Sequence, residues 1–283
     1  MNARALAIVS LVLVAVVSST FGTPLDFTVN QSQSSVNVQL CLLGNCDSDP
    51  SSVSGFMSAK TLPIPLPTNI TLYDFIFNLT DQIDIFISFS ILGNFSGTGQ
   101  NLSFYYATPG NPQPPAPITA NAFTLSQVPT EKSGTFQYNA TGIVCSTLQG
   151  QNPPVPCNDT IDLSSTGTSD GNINGTVGVV GRTITLTMNP NISVPLDPDN
   201  PGTGSLTVTG TIVASASAPL RGDANLNGSV NSLDIQEFCR VMLDPGSSTS
   251  QKRFAVDMND DDAFDDLDVA LLVDCLLGNG CVE

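Results

Sequence analysis

Two short segments decide how this chain folds at its C-terminal end: Asp223–Asp234, DANLNGSVNSLD, and Asp257–Asp268, DMNDDDAFDDLD. Both place Asp or Asn at nearly every second position, and the second segment begins 34 positions after the first. A calcium ion takes six to eight oxygen ligands, and a twelve-residue loop can supply them from positions 1, 3, 5, 7, 9 and 12. Both segments carry a suitable oxygen at each of these positions, so the sequence predicts two calcium-binding loops.

The predicted ligands occupy equivalent positions in loop 1 (223–234) and loop 2 (257–268). Position 8 is apolar in both loops, where two such loops can pair. Asp and Asn are also ordinary turn residues, so the alternative is an acidic surface loop. Repetition of the whole pattern favours calcium. The ligands are Asp223, Asn225, Asn227, the Ser229 carbonyl, Asn231 and Asp234 in loop 1, and Asp257, Asn259, Asp261, the Ala263 carbonyl, Asp265 and Asp268 in loop 2.

The two loops differ in charge and at position 6, where the chain must turn through positive φ. Gly228 occupies this position in loop 1 and adopts positive φ without strain. Asp262 occupies it in loop 2, at a cost of about 1–2 kcal/mol. Loop 2 offers four carboxylate ligands and loop 1 offers two. Because ligand charge tunes calcium affinity strongly, we expect loop 2 to bind more tightly.

Residues 221–278, about a fifth of the chain, resemble the type I dockerin domain. The matching segments are GDANLNGSVNSLDIQEFCRVML and VDMNDDDAFDDLDVALLVDCLLG, with Asp at position 12 and a helix only after each loop. The resemblance implies calcium-dependent folding and docking onto a cohesin partner, often in polysaccharide-degrading assemblies. It also implies partner recognition at loop positions 10 and 11, which are Ser232, Leu233, Asp266 and Leu267. Burial of both leucines under a neighbouring helix is the alternative.

Residues 1–22 are typical of a secretory signal peptide. Arg4 supplies the positive charge, residues 5–17 form the apolar core, and Thr20-Phe21-Gly22 offers small residues for cleavage. The apolar run is shorter than the roughly twenty residues that span a bilayer comfortably. We therefore expect a secreted, extracellular protein that has no membrane anchor after signal cleavage.

The charge distribution narrows the choice of partners. The net charge is −17, and residues 221–283 contribute about half of the excess, with 13 acidic and 4 basic side chains. Nucleic-acid binding relies on neutralising phosphates with Lys and Arg, so this composition argues against a nucleic-acid partner. Anionic membrane surfaces are disfavoured for the same reason, whereas cations are favoured.

Seven cysteines in an exported chain predict disulfide bonds. Cys41 and Cys46 are close enough in sequence for a local bridge, and Cys145 and Cys157 can close the loop between them. Two of the remaining three cysteines can pair, and the sequence does not choose among them. These three are Cys239, Cys275 and Cys281.

Residues 23–219 read as short strands separated by turns, and residues 220–283 as a small α-helical module. The predicted strands are rich in β-branched and aromatic residues, often alternating with polar ones, as in SVNVQLCL and TITLTM. The expected fold is mainly β, an antiparallel sandwich or barrel followed by a helical pair of EF-hand-like loops. The predicted strands are 25–29, 35–42, 52–57, 85–91, 102–106, 134–139, 175–188 and 204–214, while 72–83 fits a strand or a helix; the module's helices are Ile235–Leu243 and 269–277.

The β domain carries no recognisable catalytic motif. The chain has no His, so Ser-His-Asp and Cys-His catalysis and His-ligated zinc are excluded. Acidic side chains leave a glycosidase pair open, but their spacing selects no two of them. The leading hypothesis is a non-catalytic secreted β domain tethered by a dockerin-like module, with a polysaccharide as a further ligand. The alternatives are a tethered polysaccharide hydrolase, and a calcium-stabilised structural or cell-surface protein without a cohesin partner.

Overall fold

The computed structural model describes residues 23–63, 66–150, 154–195 and 204–281. The predicted signal peptide lies outside these ranges. Within them, no helix has both the length and the apolar character needed to cross a bilayer.

Twelve antiparallel strands form one sheet in the described part of the chain. Alternation of apolar and polar residues explains most of them, since every second side chain then faces the core. Strand β5 (Ile83–Ser88), IDIFIS, buries its three isoleucines and exposes the residues between them. The strands are β1 Leu25–Val29, β2 Ser35–Leu42, β3 Asn45–Leu62, β4 Asn69–Leu79, β5 Ile83–Ser88, β6 Asn94–Tyr106, β7 Ala116–Pro117, β8 Ala122–Ala140, β9 Asn158–Asp162, β10 Ser169–Val180, β11 Thr183–Pro195 and β12 Gly204–Ser217.

The strand pairings close into a ring. The sheet runs β3-β2-β12-β11-β10-β8-β6-β4, and β4 pairs with β3 again. The long strand β3 makes this closure, because its first half pairs with β2 and its second half pairs with both β1 and β4. The predicted antiparallel, mainly β fold is confirmed, and of the two predicted architectures the pairings follow the closed one.

Several strand boundaries differ from the sequence-based predictions. The predicted bounds of β1 and β2 are confirmed, and the ambiguous segment 72–83 lies in strands β4 and β5. The predicted strand 175–188 is wrong as a single element, since the chain turns at Gly181 (φ +61°) and forms the β10–β11 hairpin. Strands β7 and β9 were not predicted, because β7 has only two residues and β9, NDTID, is mostly polar.

Four α-helices are present in the described residues. The predicted bounds of helix α2 (Ile235–Leu243) are confirmed, and helix α4 (Asp266–Leu276) begins three residues earlier than predicted. Helices α1 (Gly142–Gln149) and α3 (Ser250–Val256) were not predicted, although Thr249 is an N-cap of α3 whose hydroxyl accepts a hydrogen bond from the backbone N–H of Lys252 (3.3 Å). The helices are α1 Gly142–Gln149, α2 Ile235–Leu243, α3 Ser250–Val256 and α4 Asp266–Leu276.

The buried side chains form two clusters. The larger cluster fills the sheet, and the smaller one lies between the loops and helices of the C-terminal module. Val230 and Phe264, the apolar residues at position 8 of the two loops, pack against the smaller cluster. Phe254 of α3 belongs to the larger cluster instead, so one helix of the module contributes to the core of the β domain.

Three disulfides are present in the described residues. The predicted bridges Cys41–Cys46 and Cys145–Cys157 are confirmed, and the first links register partners of the β2–β3 hairpin. The third bridge joins Cys275 to Cys281, which leaves Cys239 as a free, exposed cysteine on α2.

Candidate metal centre

Loop 1 is organised by its own carboxylate and amide side chains. The carboxylate of Asp223 accepts hydrogen bonds from the backbone N–H groups of Asn227 (2.9 Å) and Gly228 (2.8 Å). The carboxylate of Asp234, at position 12, accepts from the N–H groups of Asn225 (3.1 Å) and Asn231 (2.8 Å). The first and last predicted ligands therefore turn towards the same stretch of loop backbone.

Loop 2 repeats this pattern position by position. The carboxylate of Asp257 accepts from the N–H groups of Asp261 (3.0 Å) and Asp262 (3.3 Å). At position 12, the carboxylate of Asp268 accepts from the N–H groups of Asn259 (3.4 Å) and Asp265 (3.0 Å), which are equivalent to the donors in loop 1, and also from the N–H of Met258 (2.7 Å). The match between loops extends the sequence repeat to their conformation.

The predicted ligands at position 9 also cap the helices that follow the loops. Asn231 accepts a hydrogen bond from the N–H of Leu233 (2.9 Å), and Asp265 accepts one from the N–H of Leu267 (2.8 Å). With the position-12 carboxylates they form capping boxes, which satisfy N–H groups that the helix leaves free. Each loop therefore sets the start and direction of the helix after it.

The backbone is left-handed at positions 4 and 6 of both loops. Gly228 has φ +87° and Asp262 has φ +65°, which confirms the conformation expected for position 6. Position 4 is occupied by Leu226 (φ +62°) and Asp260 (φ +63°). Asp262 therefore bears the strain that Gly228 avoids.

The charge of the loops fits a divalent cation. Four carboxylates are almost fully buried, and none of them forms an ion pair within the described ranges. A buried carboxylate without a positive partner is costly, and burial raises the pKa of Asp268. Calcium would supply the missing positive charge through oxygen ligands of the preferred kind. These carboxylates belong to Asp223, Asp234, Asp257 and Asp268.

The side chains do not by themselves form a closed metal cage. In the part of the chain that is described, no group of three or more Asp, Glu, His or Cys side chains converges with metal-binding geometry. The carboxylates are engaged by backbone N–H groups, as set out above. The twelve predicted ligands therefore stay a prediction.

Loop 2 and α3 lie against the β domain. Asp260 pairs with Lys60 of β3 (3.0 Å) and with Arg221 at the start of the module (2.8 Å). The guanidinium of Arg221 also lies 3.8 Å from the centre of the Phe254 ring. Burial raises the pKa of Asp262 to about 6, and its carboxylate forms a hydrogen bond with the Tyr73 hydroxyl of β4.

The predicted partner-binding residues are exposed. Leu233 is 72% exposed and Leu267 is 60% exposed, so the alternative that both leucines are buried is wrong. Ser232 and Asp266 beside them are exposed as well. Other exposed apolar residues of the two loop–helix units follow the same 34-residue repeat, namely Ile235 with Val269 and Leu243 with Leu277.

The β domain has an open, polar groove of about 680 Å³ across β6, β8 and β9. Hydroxyl and amide side chains predominate in its lining, and Asp159 is the acidic residue among them. Tyr138 is a buried residue of this lining, and its hydroxyl donates to the carbonyl of Pro156 (3.0 Å). The lining of the groove therefore contains one carboxylate, that of Asp159, whereas glycosidases commonly use two.

The fold and the loops define the C-terminal segment as a module of paired EF-hand-like loops, packed on a closed antiparallel sheet. Residues 221–277 match the family model described as the dockerin type I domain, which confirms the resemblance seen in the sequence. Dockerin domains typically bind calcium and bind cohesin domains, and they occur in extracellular proteins. No curated protein matches the chain.

Proposed function

We propose that this is a secreted protein whose C-terminal module, residues 220–283, binds two calcium ions and tethers the β domain, residues 23–219, to a cohesin-type partner. The tethered protein would be part of an extracellular assembly that acts on polysaccharide. The observation that carries it is the pair of equivalent loop–helix units, which present the same apolar positions to solvent. The disulfides suit an oxidising, extracellular environment.

Calcium is the ion that the loops suit best. The predicted ligands are all oxygens, the four buried carboxylates form no ion pair in the described part of the chain, and twelve-residue spacing is typical of calcium loops. The ligand set proposed for each loop is the one given by its positions 1, 3, 5, 7, 9 and 12. Because each loop also caps its helix, calcium would stabilise the loop and orient the helix together.

The partner surface is proposed on the helices that follow the loops. Leu233 and Leu267, with Ser232 and Asp266 beside them, occupy equivalent first-turn positions and are exposed. Exposed apolar residues in this arrangement make suitable anchors for a protein interface. The flanking residues differ between the units, so we expect the two equivalent faces to bind a partner unequally.

Calcium stoichiometry tests the metal part of the proposal. Chelated full-length protein titrated with calcium in a calorimeter should bind two ions, and Asp223→Ala and Asp257→Ala should each remove one. The charge difference between the loops predicts that Asp257→Ala removes the tighter site. Absence of calcium binding by the wild-type chain would refute the metal assignment.

Binding to a cohesin domain tests the tether. A cohesin domain from the source organism's own secreted proteins, fixed to a sensor surface, should retain the chain with calcium and release it with chelator. Leu233→Asp combined with Leu267→Asp should abolish retention and preserve both calcium sites. Leu92→Asp, at a 52% exposed leucine of the β domain, is the matched control and should leave retention unchanged. Retention that survives both module substitutions would place the partner surface elsewhere.

A further inference from the structure

Loop 2 differs from loop 1 in its contacts with the β domain. The backbone nitrogen of Thr23 (3.2 Å) and its hydroxyl (2.9 Å) both donate to Oδ2 of Asp257, the predicted ligand at position 1. Thr23 precedes β1 and is 3% exposed, so this contact is shielded from water. Two further residues of the β domain, Lys60 and Tyr73, contact the carboxylates of Asp260 and Asp262.

Loop 1 provides an internal comparison. Its position-1 carboxylate, on Asp223, accepts the two loop N–H groups described above, as Asp257 does, but no hydrogen bond or ion pair joins loop 1 to the β domain in the described ranges. Residues 227–229 are exposed, whereas the equivalent residues 261–263 are half-buried. The contacts with the β domain are therefore specific to loop 2 and are not a feature that the two loops share.

The contacts have the chemistry of an outer shell around a metal site. A carboxylate that binds a metal through one oxygen is commonly held at its other oxygen by a hydrogen-bond donor, and loss of such a donor weakens metal binding. Thr23 provides two donors to one oxygen of Asp257. Loop 2 also holds seven Asp residues against two in loop 1, and Lys60 offsets the charge of Asp260, which is not a predicted ligand.

We infer that Thr23 of the β domain is an outer-shell partner of the loop 2 calcium site and that Lys60 and Tyr73 hold the same loop against the sheet, so that calcium binding and docking of the module stabilise each other. The inference rests on the proposed calcium function of the loops. Such coupling is reciprocal, because a ligand that favours the docked state is itself bound more tightly in that state. Calcium at loop 2 then fixes the module on the β domain, while loop 1 binds calcium independently.

The docking surface is distinct from the proposed partner surface. Docking uses Thr23, loop 2 and α3, and the side chains of Leu233 and Leu267 remain exposed while it is formed. Loop 2 therefore connects the two surfaces, because it contacts the β domain and caps α4. A partner bound at the helices would hold the β domain at a fixed orientation when loop 2 is loaded with calcium.

Site-resolved calorimetry on the full chain tests this inference. In an Asp223→Ala background, calcium reports on loop 2, and Thr23→Val should weaken binding by about tenfold, the lower end of the effect of removing an outer-shell partner. Thr23→Ser keeps the hydroxyl donor and should restore the tighter binding. Thr28→Val, on the exposed side of β1, is the matched control. In an Asp257→Ala background, Thr23→Val should leave calcium binding at loop 1 unchanged.

Tyr73→Phe provides a second variant that removes a single hydroxyl, and Tyr105→Phe removes an equivalent hydroxyl bonded to Glu131, away from the module. Tyr73→Phe should weaken loop 2 and reduce the calcium-induced rise in the thermal midpoint of the sheet, and Tyr105→Phe should do neither. Equal loop 2 affinities in Thr23→Val and Thr23→Ser, with Tyr73→Phe matching its control, would overturn the outer-shell role alone. Failure of the Asp223→Ala chain to bind calcium would overturn the proposed loop 2 site and this inference together.

Discussion

Replacing Phe254 by alanine should destabilise the whole protein, although this residue lies in the small C-terminal module. Its ring is 3% exposed within the core cluster of the β domain, and the guanidinium of Arg221 lies 3.8 Å from the ring centre. Truncation of a buried Phe to Ala costs about 3–5 kcal/mol. Loss of the cation–π contact adds about 0.5–2 kcal/mol.

The lower of these values already gives a measurable shift. For a domain of this size, each 1 kcal/mol lowers the thermal midpoint by about 2–4 °C, so a loss of 3 kcal/mol corresponds to about 6–12 °C. The assay is a thermal melt of the full chain at saturating calcium, followed by circular dichroism in the β region. Phe86→Ala, at a 58% exposed phenylalanine of β5, should shift the midpoint by far less.

Melting of the sheet and melting of the module, followed separately, show whether Phe254 is part of the core of the β domain. If α3 is part of the core of the β domain, the sheet itself should melt earlier in Phe254→Ala. An unchanged midpoint of the sheet, with the module melting separately, would refute the shared core and show that the Phe254 contact contributes little to stability.

Three further predictions follow from single contacts. Hydrogen-bonded ion pairs with Arg240 and Lys252 hold the pKa of Glu237 at about 2, below its usual 4.5. The stabilisation lost in Glu237→Gln, up to about 1 kcal/mol, should therefore be full above pH 5, decline as the pH falls and vanish below pH 2 in denaturant titrations of both proteins. Gly55→Ala should cost at least about 2 kcal/mol, because a Cβ at φ +131° would lie 1.9 Å from a carbonyl oxygen of β4. Gly178→Ala is the control, since no atom lies closer than 4.0 Å to a Cβ at that position. Equal denaturation midpoints for the two variants would contradict the predicted steric clash. Replacing Cys145 and Cys157 together by serine should cost about 3 kcal/mol, since the bridge closes a loop of 12 residues, and an unchanged midpoint in non-reducing buffer would show that the bridge adds little to stability.

Patterns among residues close in sequence were sufficient to predict several strands, the two loops and two of the disulfides. The alternation in β1 and β2, the loop spacing before α2 and α4, and the two short-range cysteine pairs each involve residues close in sequence. Such signals depend on the chain's own geometry, because a strand alternates its faces and a helix needs a cap. The loop conformations, including left-handed Asp262, agree with the sequence repeat.

Tertiary structure decided the features that join distant residues. Thr23 and Asp257 are 234 positions apart, and no local pattern indicates that one would donate to the other. Helix α3 was missed because its seven residues face two cores at once, with Phe254 in the sheet and Val256 in the module, so they lack a simple periodic signal. The exposure of Leu233 and Leu267 was likewise undecided in the sequence, since an apolar side chain is buried only where another element covers it. The repeated loops therefore determined the proposed metal sites, whereas packing of the module against the sheet determined which loop contacts the β domain and which apolar residues remain free for a partner.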